Sequence, residues 1–325
     1  MTRLRRFRTR RRPSARASNV TAVTARAARR PPPSKGARKQ TWIAWGFAAP
    51  FMVLFLVFMA GPIVASLAMS FTDLTTRDLR TPFNVNLVGF NNYVRLFQDE
   101  RFLHSLLNTG FFVIVGVPVT IVLAMLVALA LNTGINRFRT VFRVGYYAPV
   151  VTSIVAIAIV WKFILQPDGL LNGFLGIFGI SGPNWLEDTT WALPSLILMA
   201  VWRNIGTLMV IFLAGLQGVP KEHHEAAMVD GANVVQRFFN VTLPAMRPTL
   251  LFAAVITGIG FLQFFEEPFV MTRGGPLDST LSSAMYTFNQ FGFGNYSYAS
   301  AASYVLFLAI VMLSLIEFRL LKRED

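Results

Sequence analysis

Long charge-free runs dominate the pattern of apolar and polar positions. From Gln40 to Thr72 the chain passes 33 residues without a charged side chain, and from Phe102 to Asn136 it passes 35. Val144–Trp161 and Pro248–Phe265 add 18 each, Ser279–Ile316 adds 38, and between Thr189 and Pro220 only Arg203 interrupts. A hydrocarbon core of ~30 Å needs about 20 predominantly apolar residues per helix. The runs therefore predict six membrane helices, near 43–70, 106–131, 144–165, 192–216, 248–270 and 299–318. They are continuous rather than alternating, which excludes a barrel of ~10-residue strands. The predicted fold class is all-α and integral to a membrane. A further apolar piece, Leu170–Ile180, is too short to span and contains Gly173, Gly176 and Gly179, so it reads as a surface or re-entrant helix.

Composition agrees. Of 325 residues 54% are hydrophobic and 14% charged, against about 25% charged in soluble domains, so a water-soluble enzyme is excluded. The net charge of +14 suggests nucleic acid until it is located. Residues 1–41 hold 14 of the 30 Lys and Arg and no acid, leaving 16 basic and 16 acidic side chains in 42–325. The basicity belongs to a tail, 1–41, distinct from a transmembrane domain, 42–325. That tail has too little apolar surface to fold and reads as disordered and cytoplasmic. Arg5–Arg6 resembles a twin-arginine export signal, but no apolar stretch follows promptly, and the acid-free composition also fits an organellar transit peptide. With Phe7 as its one aromatic it offers no base stacking, so no nucleic-acid partner is expected. The absence of cysteine excludes disulfides, thiolate metal sites and cysteine catalysis.

Positive charge sets the orientation. Arg137, Arg139 and Arg143 follow the second helix, Lys221, Arg237 and Arg247 follow the fourth, and Arg319, Lys322 and Arg323 end the chain. The segments 166–191 and 272–298 are poor in basic residues, whereas the loop after the first helix mixes Arg77, Arg80, Arg95 and Arg101 with four acids. Both termini are expected in the cytoplasm.

The most informative cytoplasmic stretch is 218–247. Pro220 opens a short helix with Glu222 and Glu225 in its first turns, where the dipole favours anions. Ala227 and Gly231 lie four apart and make one face smooth. Asp230–Gly231 breaks the helix, and a second one, apolar at Val234, Val235, Phe238 and Phe239, runs to Pro244. A helix–turn–helix of this kind is suited to docking on a partner.

Its residues resemble a known family. Glu225–Ala226–Ala227, Gly231 three residues on, and Leu243–Pro244 reproduce the spacing of the EAA loop of ABC-importer permeases, with Val241 where isoleucine is usual. The similarity is closest to sugar-uptake permeases of the maltose and glycerol-phosphate kind. It extends to Val88–Gly89–Phe90–Asn91–Asn92–Tyr93, Trp161–Lys162–Phe163–Ile164, Pro167–Asp168–Gly169, Leu213–Ala214–Gly215–Leu216–Gln217 and Asp230–Gly231–Ala232. Met271–Thr272–Arg273–Gly274–Gly275–Pro276 is similar to the family's glycine-rich turn, with Arg273 in place of a glycine.

This resemblance implies a type I importer permease in a bacterial inner membrane. It implies a second homologous permease as partner in a heterodimer, two ATP-binding-cassette ATPases, an extracytoplasmic sugar-binding protein, and a sugar or polyol as cargo amid membrane lipid. Glu225, Ala226, Ala227, Asp230, Gly231, Leu243 and Pro244 would then couple to the ATPase. The chain itself has no GxxxxGK[ST] phosphate loop and should not bind ATP.

Within the membrane, Arg203 beside Trp202 is the residue that stands out, since a lone arginine at the bilayer centre costs roughly 2.5–3.5 kcal/mol and should face a cavity or partner. It could hold sugar hydroxyls, with Trp202 as a stacking surface, or it could be a structural ion pair. Gln263, Glu266 and Glu267 lie toward the outer end of the fifth helix. In a straight helix Glu266 would sit ~27 Å above Pro248, either serving substrate or pairing with Arg273. His223 and His224 point ~100° apart and His104 is distant, so no metal site, cofactor or catalytic set is expected. The rival readings are a secondary transporter, which would need midplane carboxylates, a membrane-anchored nucleic-acid binder, and a membrane enzyme.

Overall fold

The computed structural model describes residues 35–81, 85–133 and 138–321. The tail expectation over 1–34 lies outside them, as do Arg137, Lys322 and Arg323. The chain divides into two units, Met1–Met59 and Ala60–Asp325.

The first unit carries α1 (Lys35–Phe55), which begins inside the stretch expected to be tail. Phe51 and Phe55, one turn apart, stack with centroids 6.2 Å apart. Trp42 and Phe47 are 78% and 84% exposed, the surface of a helix made for hydrocarbon rather than for water. A π-helical stretch (Leu56–Ala60) follows and leads into α2 (Gly61–Met69), where Pro62 has no backbone donor for a regular ladder.

In the second unit a 3-10 turn (Thr76–Arg80) and α3 (Asn91–Gln98) precede α4 (Glu100–Thr133). Next come α5 (Arg139–Val151), α6 (Ile154–Ile164), α7 (Leu170–Ile177) and α8 (Ala192–Gln217). α9 (Lys221–Val229), α10 (Val234–Arg237) and α11 (Leu243–Ala245) form the expected helix–turn–helix region. α12 (Arg247–Leu262), α13 (Glu266–Met271), α14 (Ser283–Gly292) and α15 (Tyr296–Leu321) complete the order. The exposed α7 is the short helix expected near Leu170–Ile180.

α8 lies against α4 and α5, with α12 on α4 and α15 on α12. Small residues let these backbones approach. A Cβ on Gly206 of α8 would collide with the Tyr146 carbonyl of α5, and one on Gly116 of α4 would sit 2.7 Å from the Phe261 ring. That ring and Phe264 enclose Phe112, the latter pair stacked 3.9 Å apart. Close packing is thus the role of Gly116.

Five helices are long and apolar enough to cross a membrane: Trp42–Met69, Glu100–Asn132, Ala192–Gln217, Arg247–Met271 and Tyr296–Arg319. The single straight helix expected over 144–165 is corrected. α5 and α6 meet at a bend of 101°, giving a sixth span only if the pair is counted as one. Thr152 and Ser153 take extended backbone there, Pro149 has already removed a donor, and Thr152 Oγ1 donates to the Ala148 carbonyl at 2.8 Å. The fifth helix is also interrupted, at Gln263–Phe265 between α12 and α13. Pro268, three residues into α13, cannot donate to the Phe264 carbonyl, so the straight-helix height reckoned for Glu266 does not apply.

Candidate functional site

The helix–turn–helix between α8 and α12 is built by two local devices. α9 ends in a Schellman arrangement: Gly231 takes φ +79°, its N–H donates to Met228 O at 3.1 Å, and Ala232 N–H donates to Ala227 O at 2.9 Å. Two residues on, α10 opens with a capping box. Asn233 Oδ1 accepts from Gln236 N at 2.8 Å, while Gln236 Oε1 accepts from Asn233 N at 2.9 Å. Asp230–Gly231–Ala232–Asn233 is therefore a complete stop-and-restart signal. A second π stretch, Phe238–Thr242, precedes Leu243–Pro244, again ahead of a proline.

The two arms enclose a cavity of about 820 Å³ lined by Ala226, Ala227 and Asp230 on one side and Val241 and Pro244 on the other. Glu225 is exposed, and Leu243 is partly buried. Along the crest, Val229, Val234, Val235 and Phe239 are 87%, 72%, 63% and 57% exposed. A contiguous apolar crest on a polar loop marks an interaction surface. Its two roots are tied together, because a Cβ on Gly215 of α8 would meet Met246 and Thr249 at 2.9 Å or less.

The membrane candidates divide. Trp202 is 42% exposed and meets Trp161 of α6 edge-on, centroids 5.6 Å apart, beside an apolar cavity of about 360 Å³ that both rings line. Trp161 stood in the sequence only as part of a motif. It enters the site because the bend before α6 turns that helix toward α8. Arg203 is partly buried, and its Nε is enclosed without a hydrogen bond. Glu267 is 5% exposed, with Oε2 likewise unpartnered. α13 touches α8, and Arg203 and Glu266 are the charges acting on Glu267. The structure thus brings Arg203 and Glu267, 64 positions apart in sequence, into electrostatic range without a salt bridge. Gln263 and Glu266 are exposed. The alternative pairing of Glu266 with Arg273 is not formed, since the Arg273 guanidinium lies over the Phe269 ring at 5.6 Å. Among the described residues no group of histidine and acidic side chains could hold a metal ion.

The turn after α13 explains its glycines. Arg273 and Gly274 have φ +56° and +84°, so Arg273 occupies a left-handed position that glycine fills without strain. Thr280 Oγ1 donates to Gly275 O at 2.8 Å, and Asp278 receives Arg101 in a two-pronged contact of 2.8 and 2.9 Å, fastening the turn to α4.

With this geometry in place, comparison with known proteins is informative. Residues 97–321 match the family described as binding-protein-dependent transport system inner membrane component. The lactose transport system permease protein LacF of Rhizobium radiobacter is 38% identical over 280 residues, covering 84% of this chain and 92% of that protein. The trehalose/maltose transport system permease protein MalF of Thermococcus litoralis is 30% identical, covering 82% and 89%. A chain in the crystal structure of a bacterial ABC transporter for import of the acidic polysaccharide alginate superposes with a TM-score of 0.73 at 24% identity, over 88% of this chain and 97% of that one. This last likeness concerns the fold.

Proposed function

Since this chain belongs to the family of binding-protein-dependent transport system inner membrane components, and is a multi-pass permease subunit of an ABC importer, we propose that it carries a sugar or related polyol inward by coupling its helices, through the 218–247 loop, to a separate ATPase. The observation that carries this reading is the loop itself. Two short helices are locked at a fixed turn by Gly231 and Asn233, with an apolar crest that nothing among the described residues covers. LacF and MalF relatives named for disaccharides support the cargo class.

In this account Glu225, Ala226, Ala227, Asp230, Gly231, Leu243 and Pro244 seat the loop in the ATPase. Closure of the ATPase pair pushes the loop, and the Gly215 contact passes the movement to α8 and α12 together. Along α8 the push travels from Gln217 to Arg203, about 21 Å at 1.5 Å per residue. There Trp202 with Trp161 offers a ring surface for the apolar face of a sugar, while Arg203 and Glu267 supply a donor and an acceptor for hydroxyls. Gln263 and Glu266 stand at the helix break above. Both termini face the cytoplasm, in keeping with Arg139, Arg143, Lys221, Arg237 and Arg247 on one side. The partners are a second, homologous permease in a heterodimer, two ATPase subunits and an extracytoplasmic sugar-binding protein.

The test is a mild-detergent pull-down of the tagged chain from its native membrane, repeated with Glu225→Ala and Gly231→Pro. Recovery of an ATP-binding-cassette protein and a second permease, with the ATPase alone lost in the variants, is the expected result. A chain recovered alone would favour a stand-alone transporter.

A further inference from the structure

At the opposite ends of the helices from the 218–247 loop, a second pocket of about 420 Å³ lies among the 73–75 segment, α3, the end of α14 and the start of α15. Small-molecule sites run from roughly 300 to 1,000 Å³. Only Leu74 and Val88 in its lining are apolar. It shares no residue with the Trp161–Trp202 cavity.

The walls are fixed from behind. Asn92 Nδ2 donates to Ser70 O and Thr72 O at 2.9 and 2.7 Å, and Thr72 Oγ1 meets Ser297 Oγ at 2.8 Å. Gly89 turns at φ +58°, so the Val88–Tyr93 motif is the scaffold of this pocket. The acidic groups are already engaged. Asp73 accepts from Asn86 N and Nδ2 at 2.8 and 2.9 Å, and Asp99 accepts from Tyr286 Oη at 2.5 Å and Tyr298 Oη at 3.3 Å. Burial and the bond to Asp99 hold the Tyr286 phenol protonated, its pKa well above the usual range.

The donors, by contrast, are unspent. The Arg95 guanidinium makes no hydrogen bond and stands 5.4 Å from the centre of the Tyr298 ring. The Asn91 side chain has no partner, and Gln290 uses only its oxygen, taking Asn295 Nδ2 at 2.9 Å. A ligand here must bring acceptors to Arg95, Asn91 and Gln290 and carry no net negative charge, because Asp73 and Asp99 line the same cavity.

We propose that this pocket is a second saccharide site, taking one neutral, hydroxyl-rich sugar ring outside the translocation pathway. The ring's hydroxyls accept from Arg95 and Gln290 and exchange bonds with Asn91, and its apolar face meets Tyr298. The proposal rests on the sugar-import reading for its ligand class.

The experiment is saturation-transfer difference NMR on the full chain in lipid nanodiscs, with D-glucose, D-galactose and lactose at millimolar concentration as probes. Transfer to the ring protons should fall at least fivefold in Arg95→Ala and in Asn91→Ala and persist in Trp202→Ala. Arg95 and Asn91 are exposed, so neither change disturbs packing. No transfer with any probe would overturn the proposal, as would transfer indifferent to both variants. Transfer lost only in Trp202→Ala would also overturn it while leaving the import reading intact. Failure of the import reading is read separately, as absence of ATP-driven uptake of these sugars by the assembled importer.

Discussion

Replacing Gly231 isolates the contribution of the turn between α9 and α10. A Cβ at this position meets nothing within 4 Å, so bulk is not at issue. What a side chain disturbs is the backbone at φ +79°. An L-residue in that region costs roughly 1–2 kcal/mol, a factor of about 5–30 in the population of the turn. Asn, which tolerates this region through local hydrogen bonding, should cost least, then Ala, then β-branched Val. Pro should abolish the turn, since its φ is fixed near −65° and it removes the N–H donated to Met228 O. The assay is binding-protein-stimulated ATP hydrolysis by the reconstituted importer, which should decline in the order Gly, Asn, Ala, Val, Pro. Gly173→Ala in α7, where a Cβ also meets nothing, serves as the neutral control. Full stimulation in Gly231→Val would refute the reasoning. Equal losses for Asn and Val would show that added size at the ATPase interface, and not backbone conformation, sets the effect.

Other outcomes follow from the same geometry. Asn233→Ala removes both bonds of the capping box and should cost about 1 kcal/mol of loop stability, read as faster amide exchange at Gln236 with the transmembrane helices unchanged. Glu267→Gln should lower sugar uptake without loss of assembly. Its combination with Arg203→Met should be less harmful than the two single changes added, with a coupling of about 0.5–3 kcal/mol in a double-mutant cycle, whereas additivity would separate the two groups. Gly206→Ala should prevent stable assembly, because the new methyl meets the Tyr146 carbonyl, and a well-behaved variant in size-exclusion chromatography would contradict the packing described. Asp73 is held below its ordinary pKa by Asn86, so its support for the 73–88 segment is present above about pH 4 and lost as pH falls through the lowered value. Amide exchange at Val88, which donates to Phe71 O, should rise there, and Asn86→Ala should move the rise toward higher pH.

Some of this was legible in the sequence and some was not. α8 ends within a residue of its expected limits, because an apolar run closed by Gly218 leaves little choice. The loop's turn was readable from Asp230–Gly231, and its capping box could have been read from Asn233-x-x-Gln236. The 101° bend was not, since hydropathy averages across Pro149 and Thr152–Ser153 although the breaking residues are plain once sought. Arg203 and Glu267 each stood out alone, but their approach depends on α13 folding back on α8 after Pro268, a tertiary event with no local signature. The same holds for Asp99 and Tyr286, joined across 187 positions.

The central claim is that this chain passes sugar only under power delivered through the 218–247 loop. It is tested most directly in proteoliposomes containing the chain, its partner permease, the ATPase and the binding protein, by measuring accumulation of radiolabelled lactose and maltose. The account predicts accumulation that requires ATP and disappears in Gly231→Pro, while the binding protein still holds its sugar. Accumulation without ATP, or undiminished in that variant, would contradict it.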